Sequence, residues 1–178
     1  VQRSMVTVLH VVPPQASSDA MTEKWEEGGK VLAKAAQSLK VDSSHVSAML
    51  RQGDPKSEVL KAADEVNADL IIMGSRGLKR LVSILENSVS QYVFQLSSRP
   101  MLLVKDDIFV RAINRMTVAI DKSEASKQAL KLALFLLRDI KGGQLTLVNV
   151  STDPKGSEKM GAEAEKDPVF SEAIAQAK

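Results

Sequence analysis

Residues Asp69-Leu70-Ile71-Ile72-Met73-Gly74-Ser75-Arg76-Gly77 run a short apolar stretch into a loop that holds two glycines. The stretch is far shorter than the roughly 20 residues of a membrane span. It is also too uniform for a strand with one wet face, which would alternate apolar and polar positions. It predicts a parallel strand buried on both faces, followed by a strand-to-helix turn. Upstream, Gly53-Asp54-Pro55 gives a turn, an N-cap and a proline at the first helical position, and Val59, Ala63 and Val66 hold helical spacing up to Ala68. Before that come a strand over 45–51, a helix over 21–40 weakened in its middle by Gly28 and Gly29, and a strand over 5–12 closed by Pro13 and Pro14.

Downstream the alternation continues. Leu85, Val89, Val93 and Leu96 mark a helix that stops before Ser97-Ser98-Arg99-Pro100, and 101–104 is a second buried-type strand. A linker over 105–115 leads to a strand over 116–120. Asp121-Lys122-Ser123 then forms a turn and N-cap for a helix over 126–141, striped by Leu130, Leu134 and Leu137. Gly142-Gly143 ends that helix and 145–150 is the next strand. The tail after Asp153 is a helix-forming segment interrupted at Pro168. Strands alternating with helices over short loops define an α/β protein with a doubly wound parallel sheet, helices on both faces and right-handed crossovers.

Composition narrows the chemistry. The 178 residues are 44% apolar and 26% charged, enough to bury a core. A formal net charge of +2 gives no bulk attraction for nucleic acid, so no direct nucleic-acid partner is expected. With no cysteine and only His10 and His45, thiolate nucleophiles, disulfides and a zinc centre are excluded. His10 reads as a structural histidine at the end of a strand, and His45 as a surface residue.

Two strands look alike at an offset of 139 residues: Thr7-Val8-Leu9-His10-Val11-Val12 and Thr146-Leu147-Val148-Asn149-Val150-Ser151. Each is followed by a proline-containing loop and a helix. Taken alone, the likeness fits either a tandem repeat or the general similarity of strands in α/β proteins.

The chemistry-bearing stretch is Gly74-Ser75-Arg76-Gly77, followed ten residues later by Asn87-Ser88-Val89-Ser90 at a helix start. Glycines let backbone approach a phosphate, and helix N-terminal amides with serine hydroxyls donate to anionic oxygens. Arg76, Lys79 and Arg80 add positive charge. A strand-to-helix turn in any doubly wound fold favours the same glycines and serines on steric grounds alone.

This string resembles the signature of the universal stress protein family: Gly, two residues, Gly, nine residues, then Gly followed by Ser or Thr. Met73-Gly74-Ser75-Arg76-Gly77 and Asn87-Ser88-Val89-Ser90 keep the spacing, with Asn87 standing where the family has Gly. Leu9-His10-Val11-Val12, Gly53-Asp54-Pro55 and Arg99-Pro100-Met101-Leu102-Leu103-Val104-Lys105 are similar to further family segments, so the likeness covers most of 5–105. Val118-Ala119-Ile120-Asp121-Lys122-Ser123 resembles the family's opening strand with its Asp-x-Ser turn, which favours the tandem repeat.

The resemblance implies a Rossmann-like fold of the adenine nucleotide alpha hydrolase type. It implies a universal stress protein domain over 1–105 without its first strand and helix, a linker over 106–115, and the N-terminal part of a second domain over 116–178. It implies a cytoplasmic, non-catalytic stress-response module that binds ATP or AMP, with Mg, through Val11, Met73, Gly74, Ser75, Arg76, Gly77, Asn87, Ser88, Val89, Ser90, Asp121 and Ser123. The second half's strand over 145–150 would add Val150. Family members pair through the last strand, here 101–104, so a homo-oligomer, an intramolecular pair or a partner within a larger complex is expected. The competing reading is a nucleotide-free structural or interaction domain of a larger assembly, such as a cytosolic module of a transporter. An enzyme, such as a slow ATPase, is a third class, but no paired carboxylates or base and nucleophile surround the loop.

One physical difficulty follows. In folds of this type the first strand lies mid-sheet, and without it both neighbours expose unpaired backbone, at about 1–3 kcal/mol per buried unsatisfied group. Either that strand is supplied from elsewhere, or a partner completes the sheet, or the strand over 116–120 fills the slot as in a permuted domain.

Overall fold

A computed structural model describes residues 4–75, 88–105, 112–150 and 160–177. The chain divides into two compact units, Val1–Phe109 and Val110–Lys178.

The first unit is built from two parallel βαβ motifs. Strand β1 (Val6–Val12) leads through helix α1 (Ser18–Ser38) to β2 (Val46–Gln52), which pairs with β1 in parallel, Thr7 opposite Ser47 and Val11 opposite Arg51. Helix α2 (Pro55–Glu65) then connects to β3 (Ile71–Ser75), and α3 (Val89–Leu96) connects β3 to β4 (Met101–Lys105), again in parallel, Ile71 opposite Met101. The second unit holds a third such motif, β5 (Arg115–Ala119), α4 (Glu124–Leu137) and β6 (Gln144–Val148), followed by α5 (Pro168–Ala177). The α/β class and the parallel pairing thus match the sequence reading. Among the described residues the hydrogen-bonded strand pairs are β1-β2, β3-β4 and β5-β6, each parallel. The strand over 116–120 opens the second unit's motif, paired with β6.

Local chemistry accounts for the elements. Asp54 caps α2, accepting from the Lys56 amide, with Pro55 at the first helical position. Ahead of it Gly53 has φ +149°, and a Cβ there would meet the Glu58 side chain at 2.9 Å, so glycine is required. Helix α1 starts earlier than its apolar pattern suggests because Ser17 caps it, accepting from the Ala20 amide at 3.2 Å. Gly28 is not a weak point in that helix. A Cβ there would lie 2.9 Å from Leu50 Cδ1, 3.0 Å from His10 Cδ2 and 3.1 Å from Val12 Cγ2, so the missing side chain lets α1 close onto β1 and β2. Pro168 likewise opens α5 rather than interrupting a helix.

Two cores result. Ala63, Ile71 and Val93 are buried together, with Val59, Leu60, Met73, Val89 and Met101 packed around them, so α2 and α3 cover one face of β3-β4. Val118, Ile120, Leu130, Ala133 and Ala173 form the other, joining β5, α4 and α5. Arg99 pins the start of β4 to the end of α2. Its guanidinium donates to Asp64 Oδ1 at 3.2 and 3.3 Å, to Asn67 Oδ1 at 3.3 and 3.4 Å, and to the Ala68 carbonyl.

Burial overturns one expectation. The sequence predicts strands buried on both faces over 70–73 and 101–104, yet Ile72 is 63% exposed and Leu102 40% exposed. Successive strand residues point to opposite faces, so on β3 the helices α2 and α3 take Ile71 and Met73 and leave Ile72 exposed, whereas on β4 they take Met101 alone and Leu103, on the same face, is 45% exposed.

Candidate functional site

Strand β3 ends on Gly74-Ser75, paired with Val104-Lys105 of β4. Gly74 is exposed there. On the far side of the loop Ser88 caps α3, its hydroxyl accepting from the Gln91 amide at 3.1 Å and lying 3.2 Å from the Ser90 hydroxyl. Ser90 is buried at 8% exposure, and Met73 and Val89 pack in the α2-α3 core. That packing commits the Met73 and Val89 side chains to structure and leaves their backbone as what they can offer a ligand. Arg76, Gly77 and Asn87 lie outside the described residues, as do Lys79, Arg80 and Leu85. Val11 sits near the carboxyl end of β1, opposite Arg51, and the Gly53 amide donates to the Val12 carbonyl at 3.1 Å. Val11 and Gly74 therefore each stand at the carboxyl end of a parallel strand, where open α/β sheets place their ligands.

In the second unit Asp121 and Ser123 share one turn. Asp121 Oδ1 accepts from the Ser123 amide at 2.8 Å and from the Ser123 hydroxyl at 2.5 Å. These two bonds, the hydroxyl first, hold the Asp121 carboxyl below the ordinary carboxylate range. The Ser123 hydroxyl also accepts from the Ser126 amide at 3.1 Å, capping α4. Asp121 is thus an exposed, ionised acceptor in a fixed orientation, one oxygen of which is already engaged. Val150 is 81% exposed, beyond the end of β6.

The residues divide as the chain does: Val11, Met73, Gly74, Ser75, Ser88, Val89 and Ser90 belong to the first unit, and Asp121 and Ser123 to the second. Two contributors escaped the sequence reading. Ser126, buried at 9% exposure, accepts from the Asp121 amide at 2.9 Å and so fixes the turn from behind. Asn149 Nδ2 donates to the Ile120 carbonyl at 2.6 Å from the end of β6. The sign for Ser126 was a small polar residue on an otherwise apolar helix stripe; Asn149 showed none. A shallow recess beside this turn, lined by Ile120, Asp121, Lys127, Leu130 and Ala173 among others, is flanked by α5, whose Glu172 pairs with Lys127 at 3.2 Å. Among the described residues there is no cluster of three metal-ligating side chains, and no helix is long and apolar enough to cross a membrane.

Parallel βαβ motifs, with Gly74 near the carboxyl end of β3 and Ser88 capping α3, place the chain among Rossmann-like α/β proteins. The sequence profile of the universal stress protein family matches residues 2–105 and again 112–178, and the chain belongs to that family. It is similar to the universal stress protein YxiE of Bacillus subtilis, 32% identical over 105 residues that make up 59% of this chain and 71% of that protein. It is also similar to a universal stress protein of Thermus aquaticus, 38% identical over 49% of this chain and 62% of that one. A solved universal stress protein from Archaeoglobus fulgidus superposes with a TM-score of 0.70 at 31% identity, over 86% of this chain and 58% of that one. Two successive profile matches in one chain agree with the tandem reading of the repeat.

Proposed function

We propose that the chain is a non-catalytic, adenine-nucleotide-binding module of a cytoplasmic stress-response protein, built from parts of two universal stress protein domains over 1–105 and 116–178. The observation that carries it is the layout around β3. An exposed glycine, Gly74, stands next to the last residue of a parallel strand, and the helix that follows starts with two hydroxyls, Ser88 and Ser90, 3.2 Å apart. A hydroxyl that accepts from a helix amide keeps its own proton to donate, so Ser88 can cap α3 and still face a phosphate oxygen. Gly74, Ser75 and Gly77 offer backbone amides, Arg76 a positive charge, and Val11 a backbone contact at the end of β1. Asp121 and Ser123 play the corresponding part for the second domain, Asp121 as an ionised acceptor for a ribose hydroxyl or the adenine amino group. This donor set suits the phosphates of ATP or AMP, and Mg would enter with ATP on its phosphate oxygens.

The second reading, a nucleotide-free interaction domain, is favoured by the bare apolar positions Ile72 and Leu102. Isothermal titration of the chain with ATP and AMP, with and without Mg, alongside Asn87→Gly, separates the two. Heat of binding from the natural chain supports the nucleotide module and shows that Asn87 is tolerated. Silence from the natural chain with binding by Asn87→Gly identifies a degenerate site and supports the second reading. Silence from both defeats nucleotide binding.

A further inference from the structure

Helices α2 and α3 share one core, Val59, Leu60 and Ala63 of the first with Val89 and Val93 of the second. Each follows a parallel strand, β2 or β3, so both begin at the carboxyl ends of the strands, where open α/β sheets bind their ligands. Lys56 directly follows Pro55 at the start of α2, and its ammonium stands 5.4 Å from the centroid of the Tyr92 ring. Tyr92 belongs to the first turn of α3, its amide donating to the Ser88 carbonyl at 3.1 Å. Long and aromatic side chains on a helix point back toward its N-terminus. The ring, and the ammonium over it, therefore stand beside the turn that Ser88 opens.

A cation in this place is set against the positive ends of two helices. At α2 the Asp54 carboxylate answers that field, accepting from the Lys56 amide. At α3 no carboxylate does: the cap Ser88 and the residues after it, Val89, Ser90, Gln91 and Tyr92, are all uncharged. Lys56 forms no ion pair with any described residue, whereas Lys61 on the same helix holds Glu58 Oε1 at 2.7 Å. An aromatic face attracts an ammonium and leaves its charge in place. The start of α3 and the Lys56 ammonium thus make a positive pair without a counter-charge among the described residues, and an anion is what completes it.

We propose that Lys56 selects nucleoside triphosphates over monophosphates, an inference that rests on the nucleotide reading given above. Val11 and Gly74 belong to the strand ends, Ser88 to the start of α3, and Lys56 to the helix beside it. A nucleotide with its nucleoside at the strand ends and its first phosphate at Ser88 brings its outer phosphates to the Lys56 ammonium. The flexible stem of lysine lets the ammonium turn from the ring to those oxygens, where the bond is charge-assisted on both sides. AMP ends at the first phosphate and leaves Lys56 over the ring.

Isothermal titration with ATP and with AMP, Mg omitted, compares the natural chain with Lys56→Gln, Lys56→Arg and, as the control cation on the same helix, Lys61→Gln. The natural chain should bind ATP more tightly than AMP. Lys56→Gln should weaken ATP by about tenfold and leave AMP within about twofold, since only one charge-assisted bond to the outer phosphates is lost. Lys56→Arg should keep the preference for ATP, and Lys61→Gln should change neither ligand. Added salt should lower ATP affinity less steeply in Lys56→Gln than in the natural chain. Equal losses of ATP and AMP in Lys56→Gln, or no loss of ATP, overturn the proposal and leave nucleotide binding standing. So does a natural chain that binds AMP as tightly as ATP. No heat from the natural chain with either nucleotide defeats the nucleotide reading itself, and the inference falls with it.

Discussion

The two faces of β3-β4 carry equally apolar residues and meet opposite fates. On one, Ile71 and Met101 pack with Val93, which is fully buried, under α2 and α3. On the other, Ile72 stands mostly in solvent. A strand's apolar content does not bury it. Burial is completed by helices on each face and a strand on each edge, and among the described residues β3 has one covered face and one paired edge. On the β1-β2 pair the covered face is drawn in further, where α1 lies so near that a Cβ at position 28 would press on Leu50, His10 and Val12.

The sharpest way to break the comparison is to damage the covered face. Val93→Ala removes two methyl groups from a site with no exposure, and the transfer and cavity terms together should cost about 2 kcal/mol. Urea unfolding followed by circular dichroism measures it, and a loss near zero would mean that α3 does not seal that face.

The second unit has a closed face of its own, and it depends on α4 beginning where it does. Ser123→Ala removes the hydroxyl that caps α4 and should destabilise that unit by about 1 kcal/mol. It also removes the strongest bond to Asp121. A carboxyl whose folded pKa is depressed contributes stability that is present above its unfolded value and is lost as pH falls through the folded one. The Asp121 contribution should therefore fade below the ordinary value of 3.8 in the natural chain, and Ser123→Ala should shrink that acid-side loss. Carboxyl chemical shifts during an NMR titration report it directly: the Asp121 midpoint rises toward 3.8 in the variant.

A paired test on α1 separates packing from propensity. A Cβ added at Gly29 would meet nothing within 4 Å, so Gly29→Ala should stabilise by about 0.5–1 kcal/mol through helix propensity alone. Gly28→Ala carries the same propensity gain but presses on Val12, which is 2% exposed and branched at Cβ. Overpacking of about 1–3 kcal/mol outweighs the gain and the variant should be less stable. Thermal melts of the two variants should move in opposite directions, and parallel shifts would show that α1 sits further from the sheet.

These residues also show what the sequence could disclose. Two helix starts were legible from their caps: Asp54 before Pro55, and Ser123 before α4, each announces a local hydrogen bond that needs no partner from afar, whereas Ser17 sits among other loop residues and its cap of α1 was missed. The parallel α/β class was legible from strand and helix alternation. Of the candidate site, the strand end at Gly74-Ser75 and the Ser88 cap of α3 were legible, because each is set by residues close along the chain. What failed was tertiary. The identical apolar pattern at 70–73 suits a strand covered twice or once, because covering is decided by elements distant in sequence. Gly28 read as a helix weakness because the close approach of Leu50, His10 and Val12 has no local sign. The Ser126 bond to the Asp121 amide likewise depends on how α4 turns back over the strand end.

The smallest expected effect tests the bare face itself. Ile72→Ser exchanges an apolar side chain that is already 63% exposed, so little water is displaced in folding and little is lost by the change, within about 0.5 kcal/mol. Val93→Ala, on a strictly smaller change of volume, should cost several times more. A large loss in Ile72→Ser under dilute, monomeric conditions would show that the face is covered in solution by part of the same chain. A negligible loss there would show that the single chain draws its stability from the side of β3 that α2 and α3 cover, where Ile71 and Val93 meet.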